Sequence, residues 1–399
     1  PVITTNEDFG VSLVVEKTGA RQSSLFAQVL TKRYDLPRIT KIIYATMTPI
    51  PSDKNLKNLC LIRISAIGET CNVLHLLQQL QSALPDVKLS WIIGKLEHTL
   101  LKELPGVEFI IVEKTRGAGR RLKRQLAGRR FDAMLHLHAS MRANLLSRHV
   151  KTRLKIGFDR KRARDFQSLF CNETISPADQ PHVVDGFLSF LANLGIEPQT
   201  PKWKLPLDTA AIDFAHDHAA VPSLVISPCS SDRRRNFRNW PAENYAQMAE
   251  YAAKEYGLRV ILTGGPTDLE RQYGQAITDF SDTPVTNLIG KTSLCELAAI
   301  LSQAEVLISP DSGPAHIANA VNTPAIGLLA TSNCRRTGPY NSLKWCVDRY
   351  PDALQKYMKK SVDQVRWGQR VRHPEAMSLI RVNDVITRLD EVMQSTHHK

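Results

Sequence analysis

The feature that most constrains this chain is an alternation of short apolar segments with longer stretches of helical spacing, which occurs twice. The first series begins at Leu59 and the second at Ser223, on either side of a Pro- and Lys-containing connector at 198–206. Strands that are separated by helices of this length form parallel, doubly wound sheets with right-handed crossovers. The sequence therefore predicts an α/β protein of two Rossmann-like domains that face a central cleft. The predicted strands are Leu59–Ile64, Leu89–Ile93, Val107–Val112, Asp132–Leu137, Ser223–Ser227, Arg259–Thr263, Asn287–Ile289, Ala304–Ile308 and Pro324–Leu329.

A chain of 399 residues is long enough for two domains of ordinary size. The predicted bounds are 57–200 for the N-terminal domain, 207–380 for the C-terminal domain and 381–399 for a C-terminal helix and tail. Residues 1–56 have a different pattern, and we interpret them as an N-terminal arm or extension without assigned chemistry. Within this arm we predict a short strand at Val11–Val15 and a helix at Ser23–Thr31.

The formal net charge of +13 favours an anionic partner, such as nucleic acid, an anionic membrane surface or a phosphorylated substrate. The basic residues concentrate at 116–130, 142–164 and 233–238. Few aromatic residues lie among them, which disfavours single-stranded nucleic acid as the partner. A solvated basic face is the alternative reading of each cluster.

The seven cysteines form no C-x-x-C pair, and an odd number gives no disulfide framework. Their spacing does not suggest a metal site, and reduced thiols are the expectation. No apolar run approaches the roughly 18–20 residues that span a bilayer, and we see no signal peptide. Cytoplasmic residence is therefore expected.

The segment S-P-D-S-G-P-A-H-I-A-N-A, Ser309 to Ala320, predicts a strand, a turn and the start of a helix. The free N–H groups and positive end of such a helix can hold a phosphate or diphosphate. Asp311 and His316, five residues apart, can both face that ligand. In the alternative reading, Asp311 caps the helix and His316 packs behind it.

A second candidate is the turn L-I-R-I-S-A-I-G-E-T, in which Gly68 permits either a close backbone approach or a positive φ. The carboxylate of Glu69, at the mouth of the cleft, can accept a proton from an attacking hydroxyl. An acidic residue that compensates the helix dipole is the alternative interpretation.

A third candidate is the stretch from Ser227 to Pro241. Ser230 and Ser231 offer hydroxyls, and Arg238 offers a planar fork of donors to a diphosphate. Trp240 is interpreted as a core residue rather than a ligand platform.

A fourth candidate is the Gly pair of L-T-G-G-P-T-D, after which Thr267 or Asp268 can form a hydrogen bond with a ribose hydroxyl. The absence of a Walker sequence and of a strict G-x-G-x-x-G disfavours phosphoryl transfer and a nicotinamide cofactor. On the first domain, Arg142, Arg160 and Arg164 are candidates for docking an anionic acceptor.

Taken together, these segments resemble the ADP-heptose:lipopolysaccharide heptosyltransferases, glycosyltransferase family nine, from about Leu59 to Met393. The resemblance is carried by the S-P-D-S-G-P-A-H segment followed by T-P-A-I-G-L and R-R-T-G-P-Y, and by the L-I-R-I-S-A-I-G-E-T turn. I-G-F-D-R-K-R-A-R-D-F-Q-S-L-F and H-V-V-D-G-F are similar to the heptosyltransferase I branch. Two positions depart from the family pattern: Glu69 stands where Asp is usual, and Arg238 where Lys is frequent.

The resemblance implies a GT-B fold and an inverting transfer of heptose from ADP-heptose to a Kdo sugar of the lipopolysaccharide inner core. It implies no metal and no cofactor beyond the donor substrate. Glu69 would be the base, and Arg238 and the Asp311–His316 segment, with Ser312, Gly313 and Pro314, would hold the donor. The expected partners are ADP-heptose, Kdo–lipid A and the anionic cytoplasmic face of the bacterial inner membrane. A nucleotide-sugar epimerase, a protein heptosyltransferase and a non-catalytic nucleotide-sugar-binding protein are the alternatives.

Overall fold

A computed structural model describes residues 2–6, 11–15, 56–230 and 235–396. The chain divides into two compact units, Pro1–Lys54 and Asn55–Lys399. In the first unit, strands β1 (Val2–Asn6) and β2 (Val11–Val15) pair antiparallel. The predicted strand at Val11–Val15 is thus confirmed, whereas the predicted helix at Ser23–Thr31 lies outside the described residues.

The second unit begins with a six-stranded parallel sheet whose strands lie in the order β5-β4-β3-β6-β7-β8. Its strands are β3 (Asn58–Ile62), β4 (Lys88–Gly94), β5 (Val107–Val112), β6 (Ala133–His136), β7 (Leu154–Gly157) and β8 (Glu173–Thr174). The helices of this part are α1 (Ile67–Ala83), α2 (Lys95–Leu101), α3 (Ala118–Gln125), α4 (Met141–Ser147) and α5 (Val183–Ala192).

A second six-stranded parallel sheet repeats this arrangement in the order β11-β10-β9-β12-β13-β14. Its strands are β9 (Ser223–Ile226), β10 (Arg259–Leu262), β11 (Val285–Asn287), β12 (Val306–Pro310), β13 (Ala325–Leu329) and β14 (Val347–Asp348). Its helices are α6 (Thr209–Ala219), α7 (Ala242–Tyr256), α8 (Asp268–Phe280), α9 (Leu294–Gln303), α10 (Gly313–Ala320), α11 (Cys334–Thr337), α12 (Tyr350–Met358) and α13 (Val382–Thr396). The predicted fold class, two doubly wound Rossmann-like domains, is confirmed.

The central strands are apolar throughout because helices cover both faces of a parallel sheet. In β3, the residues from Leu59 to Ile62 are all fully buried. Trp240 is fully buried as well, its Nε1–H donates to the Ile380 carbonyl at 3.0 Å, and its ring meets Tyr245 edge-on. The interpretation of Trp240 as a core residue is confirmed.

The two domains meet along α1, which packs against α10 of the second domain. The connector is held at the same junction by Trp203, a buried residue whose Nε1–H donates to the Cys71 carbonyl at 3.2 Å. Asn322 in turn donates to the Trp203 carbonyl at 3.0 Å. The connector is therefore packed into the junction, between α1 and the residues that follow the C-terminus of α10.

Candidate functional site

The N-termini of α1 and α10 face each other, and Gly68 is the point of closest approach. A Cβ on Gly68 would overlap the imidazole of His316, with the ring Cγ only 3.1 Å away. Gly68 does not have a positive φ. Of the two roles predicted for this glycine, the structure shows the close approach, and the partner is the side chain of His316.

Glu69 lies in the first turn of α1, where its carboxylate forms an ion pair with the buried guanidinium of Arg63. Arg63 also donates to the Leu137 carbonyl at 2.6 Å and lies 5.5 Å from the ring centroid of Phe187. The Glu69 side chain remains 43% exposed. Arg63 therefore holds one side of the carboxylate while the other side stays open to the cleft.

Arg63 was not among the predicted site residues, although an arginine in an otherwise apolar strand end is a recognisable signal. Burial lowers the pKa of Arg63 to about 9, while Glu97 raises it and Arg336 lowers it. The guanidinium thus keeps its positive charge at neutral pH, which an ion pair with Glu69 requires.

Asp311 lies just before α10, yet it does not cap that helix. Ser312 occupies the N-cap position, and its side chain makes no capping hydrogen bond. The Asp311 carboxylate accepts a hydrogen bond from the Ser332 hydroxyl at 2.8 Å, and Arg238 and Arg370 lie 3.5 and 3.6 Å from it. The capping interpretation of Asp311 is therefore wrong, and this residue instead organises arginines around the start of α10.

Arg238 also donates to the backbone carbonyl of Asp311 at 2.7 Å and to the side chain of Asn236 at 2.9 Å. Its guanidinium is thereby held against the turn between β12 and α10. Ser312 shares a hydrogen bond with Ser309, with 2.7 Å between the two hydroxyl oxygens. The predicted donor-binding residues Arg238, Asp311 and Ser312 thus lie together.

His316 is buried between this turn and Gly68, and its Nδ1 atom has no hydrogen-bond partner among the described residues. Burial lowers the pKa of His316, and the nearby Asp311 only partly opposes this effect. A neutral imidazole with an unsatisfied ring nitrogen lies directly at the domain junction, where a ligand can complete its hydrogen bonding.

Arginines from both domains lie close to one another near Asp311. A Cβ on Gly368 would lie 3.4 Å from both Arg164 of the first domain and Arg336 of the second. Burial lowers the pKa of Arg336, as do Arg164 and Arg370, while Asp311 raises it. We call Arg164, Arg238, Arg336 and Arg370 the arginine cluster; one carboxylate against four cations leaves an excess of positive charge suited to a diphosphate.

Sequence reasoning missed Arg336 and Arg370 as well as Ser332. Arg336 lies in the R-R-T-G-P-Y segment, whose resemblance to the family could have indicated a role in the site. Arg370 is near no recognisable motif, and only the fold brings it to Asp311.

The remaining donor-site predictions fall on two other strand ends. The backbone N–H of Ser230 donates to the Asn239 side chain at 3.0 Å, and Ser231 lies outside the described residues. Thr267 caps α8: its hydroxyl accepts from the Glu270 N–H and donates to the Glu270 carboxylate at 2.7 Å. Asp268 follows it in the first turn and is exposed.

The candidate acceptor residues lie on the first domain. The Arg142 guanidinium donates to the Glu113 carbonyl at 2.8 Å, and Arg160 and Arg164 are exposed. Asp165 joins these segments, because its carboxylate accepts from the Met141 N–H at 3.0 Å. Of the three, Arg164 belongs to the arginine cluster.

In the described ranges, no group of three or more His, Cys, Asp or Glu residues is arranged to hold a metal ion. Of the helices in the same ranges, none is both long and apolar enough to cross a bilayer.

Comparison with known proteins places this chain in a family. Residues 119–365 match the model of glycosyltransferase family 9 (heptosyltransferase). The lipopolysaccharide core heptosyltransferase OpsX of Haemophilus influenzae is 36% identical over 340 residues, which cover 84% of this chain and 97% of that protein. A lipopolysaccharide heptosyltransferase 3 of Escherichia coli is 26% identical, over 82% of this chain and 97% of its own length.

Among solved structures, the heptosyltransferase WaaC of E. coli with ADP superposes with a TM-score of 0.64. The match has 19% identity and covers 84% of this chain and 99% of that one. A family 9 glycosyltransferase from Veillonella parvula gives a TM-score of 0.69 at 20% identity, over 85% and 97% of the two chains. These structures share the fold. With the family model matching more than half of its residues and a 36%-identical relative covering most of its length, this chain belongs to glycosyltransferase family 9, the heptosyltransferases, and is a glycosyltransferase.

Proposed function

We propose that this enzyme transfers heptose from ADP-heptose to a Kdo residue of the lipopolysaccharide inner core, with inversion and without a metal ion. The observation that carries the proposal is the juxtaposition of Glu69, His316 and the arginine cluster at one domain junction. The curated relatives are lipopolysaccharide heptosyltransferases, which supports the sugar and the acceptor class.

The arginine cluster and the start of α10 would bind the diphosphate of the donor. Arg238 is fixed against the Asp311 carbonyl, and the free N–H groups at Ser312 and Gly313 add the positive end of a helix. Pro314, at the second helical position, has no N–H and keeps the helix start rigid. Thr267 and Asp268, which follow strand β10, would contact the nucleoside. Ser230, which follows the intervening strand β9, would contact the donor beside them.

Glu69 would act as the general base. Arg63 holds the carboxylate from one side, and the open side would accept the proton of the acceptor hydroxyl as its oxygen attacks the anomeric carbon. The new C–O bond forms opposite the bond to ADP, which breaks and leaves its electron pair on the diphosphate. The cations around Asp311 stabilise that developing charge, and attack from the opposite face inverts the anomeric centre.

The acceptor would approach from the first domain. Arg142, Arg160 and Arg164 offer cations to the carboxylates of Kdo or to phosphates of the acceptor. Because Arg164 also lies beside Arg336, it would interact with both the acceptor and the donor. The enzyme would act at the cytoplasmic face of the inner membrane, where the acceptor is anchored.

The test is ADP release from ADP-heptose, measured with and without Kdo–lipid A. Release that requires the acceptor, continues in excess chelator and yields the inverted anomer in the product's NMR spectrum is the expected result. Consumption of the donor without an acceptor would indicate an epimerase or a hydrolase. Binding without turnover would indicate a binding protein, and transfer to Ser or Thr of a polypeptide a protein heptosyltransferase. Loss of activity that only added metal restores would contradict the metal-free step.

A further inference from the structure

The positive charge of this chain is concentrated in one segment. Residues 114–170 contain 17 Lys and Arg but only three acidic residues, while the whole chain has 52 basic and 39 acidic residues. The rest of the chain is therefore close to neutral. Positive charge that is concentrated in this way attracts an anionic partner to one part of the protein surface.

The three acidic residues of the segment are engaged in the fold. Asp132 accepts from the backbone N–H groups of Lys57 and Asn58 at 2.7 and 2.8 Å, and Asp159 is buried against Arg162 at 3.1 Å. Asp165 accepts from the Met141 N–H. Of the 17 basic residues, two form ion pairs in the structure: Arg129 with Glu108, from outside the segment, and Arg162 with Asp159. The remaining basic residues leave the segment strongly positive.

Helix α3 carries much of this charge. Within it, Leu122 is the buried residue, while Arg120, Lys123 and Arg124 are exposed. The helix lies against the end of α4, since a Cβ on Gly119 would be 3.2 Å from the ring of His149.

An apolar patch adjoins these cations. The described residues include eight exposed large hydrophobic side chains, and four of them lie together: Met141, Leu145, Phe166 and Leu169. Phe166 and Leu169 are the most exposed of the eight, at 69% and 79%. Phe166 immediately precedes a 3₁₀ turn (Gln167–Leu169), and the Leu169 N–H donates to the Phe166 carbonyl at 2.9 Å, which holds the two residues close together.

Met141 and Leu145 are four residues apart on α4 and also share a side. The two pairs are held together through Asp165, which immediately precedes Phe166. Its carboxylate accepts from the Met141 N–H at 3.0 Å, and its carbonyl accepts from the Asn144 side chain at 2.6 Å. The patch is therefore a built feature of the fold. Arg148, Lys161 and Arg164, which lie close to these residues in sequence, are exposed as well.

We propose that this surface, formed by α3, α4 and the 158–170 loop, docks the enzyme on an anionic lipid bilayer. Apolar side chains with a basic rim match the boundary between acyl chains and anionic headgroups. A second copy of this chain is disfavoured as the occupant, because two such basic faces repel each other. Nucleic acid is disfavoured because aromatic side chains do not alternate with the basic ones.

The position of the patch gives this docking a consequence for the reaction. Phe166 is two residues from Arg164, a member of the arginine cluster at the domain junction. A bilayer bound at the patch would lie beside the acceptor side of the cleft, so that a lipid-anchored acceptor need not leave the membrane.

The test is sedimentation of the full-length protein with vesicles of phosphatidylcholine alone or with 30 mol% phosphatidylglycerol. We expect binding to the anionic vesicles only, weakened by salt. The double variant Phe166→Ser, Leu169→Ser and the triple variant Arg120→Gln, Lys123→Gln, Arg124→Gln should each lower the partition coefficient at least ~10-fold. Matched controls are Val221→Ser, Phe280→Ser, which are exposed apolar residues elsewhere, and Lys254→Gln, Lys356→Gln, Lys360→Gln.

An unchanged melting temperature and an unchanged ADP affinity in all variants would show that the fold and the donor site are intact. Absence of binding by the unmodified protein would overturn the proposal, and so would equal losses in the test and control variants. It would also be overturned by a dimer in light scattering that Phe166→Ser, Leu169→Ser abolishes, or by binding to an acidic protein in place of vesicles. The measurement needs neither sugar donor nor acceptor, so its failure leaves the proposed transfer reaction untouched.

Discussion

Replacing Gly68 by Ala tests whether the two domains meet as closely as the structure indicates. Alanine is favoured over glycine in a helix by about 0.5–1 kcal/mol. Against this gain stands the contact with His316, whose ring would have to withdraw by roughly 1 Å to reach ordinary van der Waals distance. Overpacking of this kind costs about 1–3 kcal/mol. The net expectation is a protein between equally stable and about 2 kcal/mol less stable.

The matched control is Gly186→Ala in α5, a buried helical glycine where a Cβ would meet its nearest neighbour, Arg162, at 3.4 Å. This change should stabilise the protein by about 0.5–1 kcal/mol. Urea unfolding should therefore separate the two variants by about 1–3 kcal/mol, the cost of overpacking alone. Because the imidazole of His316 moves, sugar transfer by Gly68→Ala should fall by about 10-fold or more even where the protein is folded. A Gly68→Ala protein as stable and as active as Gly186→Ala would refute the reasoning.

Three further predictions concern single side chains. Glu69→Gln removes the proton acceptor, so ADP release should slow by about 100-fold or more while ADP affinity in calorimetry stays nearly constant; near-normal turnover would exclude Glu69 as the base. Arg238→Ala removes a cation and the hydrogen bond to the Asp311 carbonyl, so the Kd for ADP should rise by about 10-fold or more; an unchanged Kd would place Arg238 outside the donor site. Burial lowers the pKa of His182 to about 4, so between pH 6.5 and 4 the unfolded chain binds more protons and stability falls with falling pH. By pH 5 His182 lowers the free energy of unfolding by about 2 kcal/mol. Urea unfolding at pH 7 and pH 5 should therefore show a smaller decrease for His182→Asn than for the unmodified protein. Equal decreases in both proteins would exclude His182 as the source.

The fold was predictable because its strands are apolar on both faces and are bounded by turn residues. Strand β5 was predicted with the bounds that it has, Val107–Val112. Helix α6 was missed because its buried residues, Ala211, Ala215 and Ala219, are small and give a weak apolar pattern. Helix α1 begins at Ile67 and places Gly68 and Glu69 in its first turn, against α10.

The site was predictable in part. Asp311, His316, Glu69 and Arg238 stand in short segments whose residue types indicate their chemistry. The first three lie at a strand end or in the first turn of a helix, and Arg238 lies in the loop between β9 and α7. The capping interpretation of Asp311 failed because capping depends on where the carboxylate points. Arg238, Ser332 and Arg370 attract that carboxylate away from the helix.

The sequence by itself determined the two α/β domains, the strand ends that carry polar residues and the excess of positive charge, since these depend on residues close together along the chain. Only the tertiary structure decided that Arg63 holds Glu69, that Gly68 admits His316, and that Arg336 and Arg370 join Arg238 around one carboxylate. Gly68 and His316, for example, are 248 positions apart in the sequence. Charges interact through space, and the distances that set their interaction exist only after both domains have folded and packed against each other.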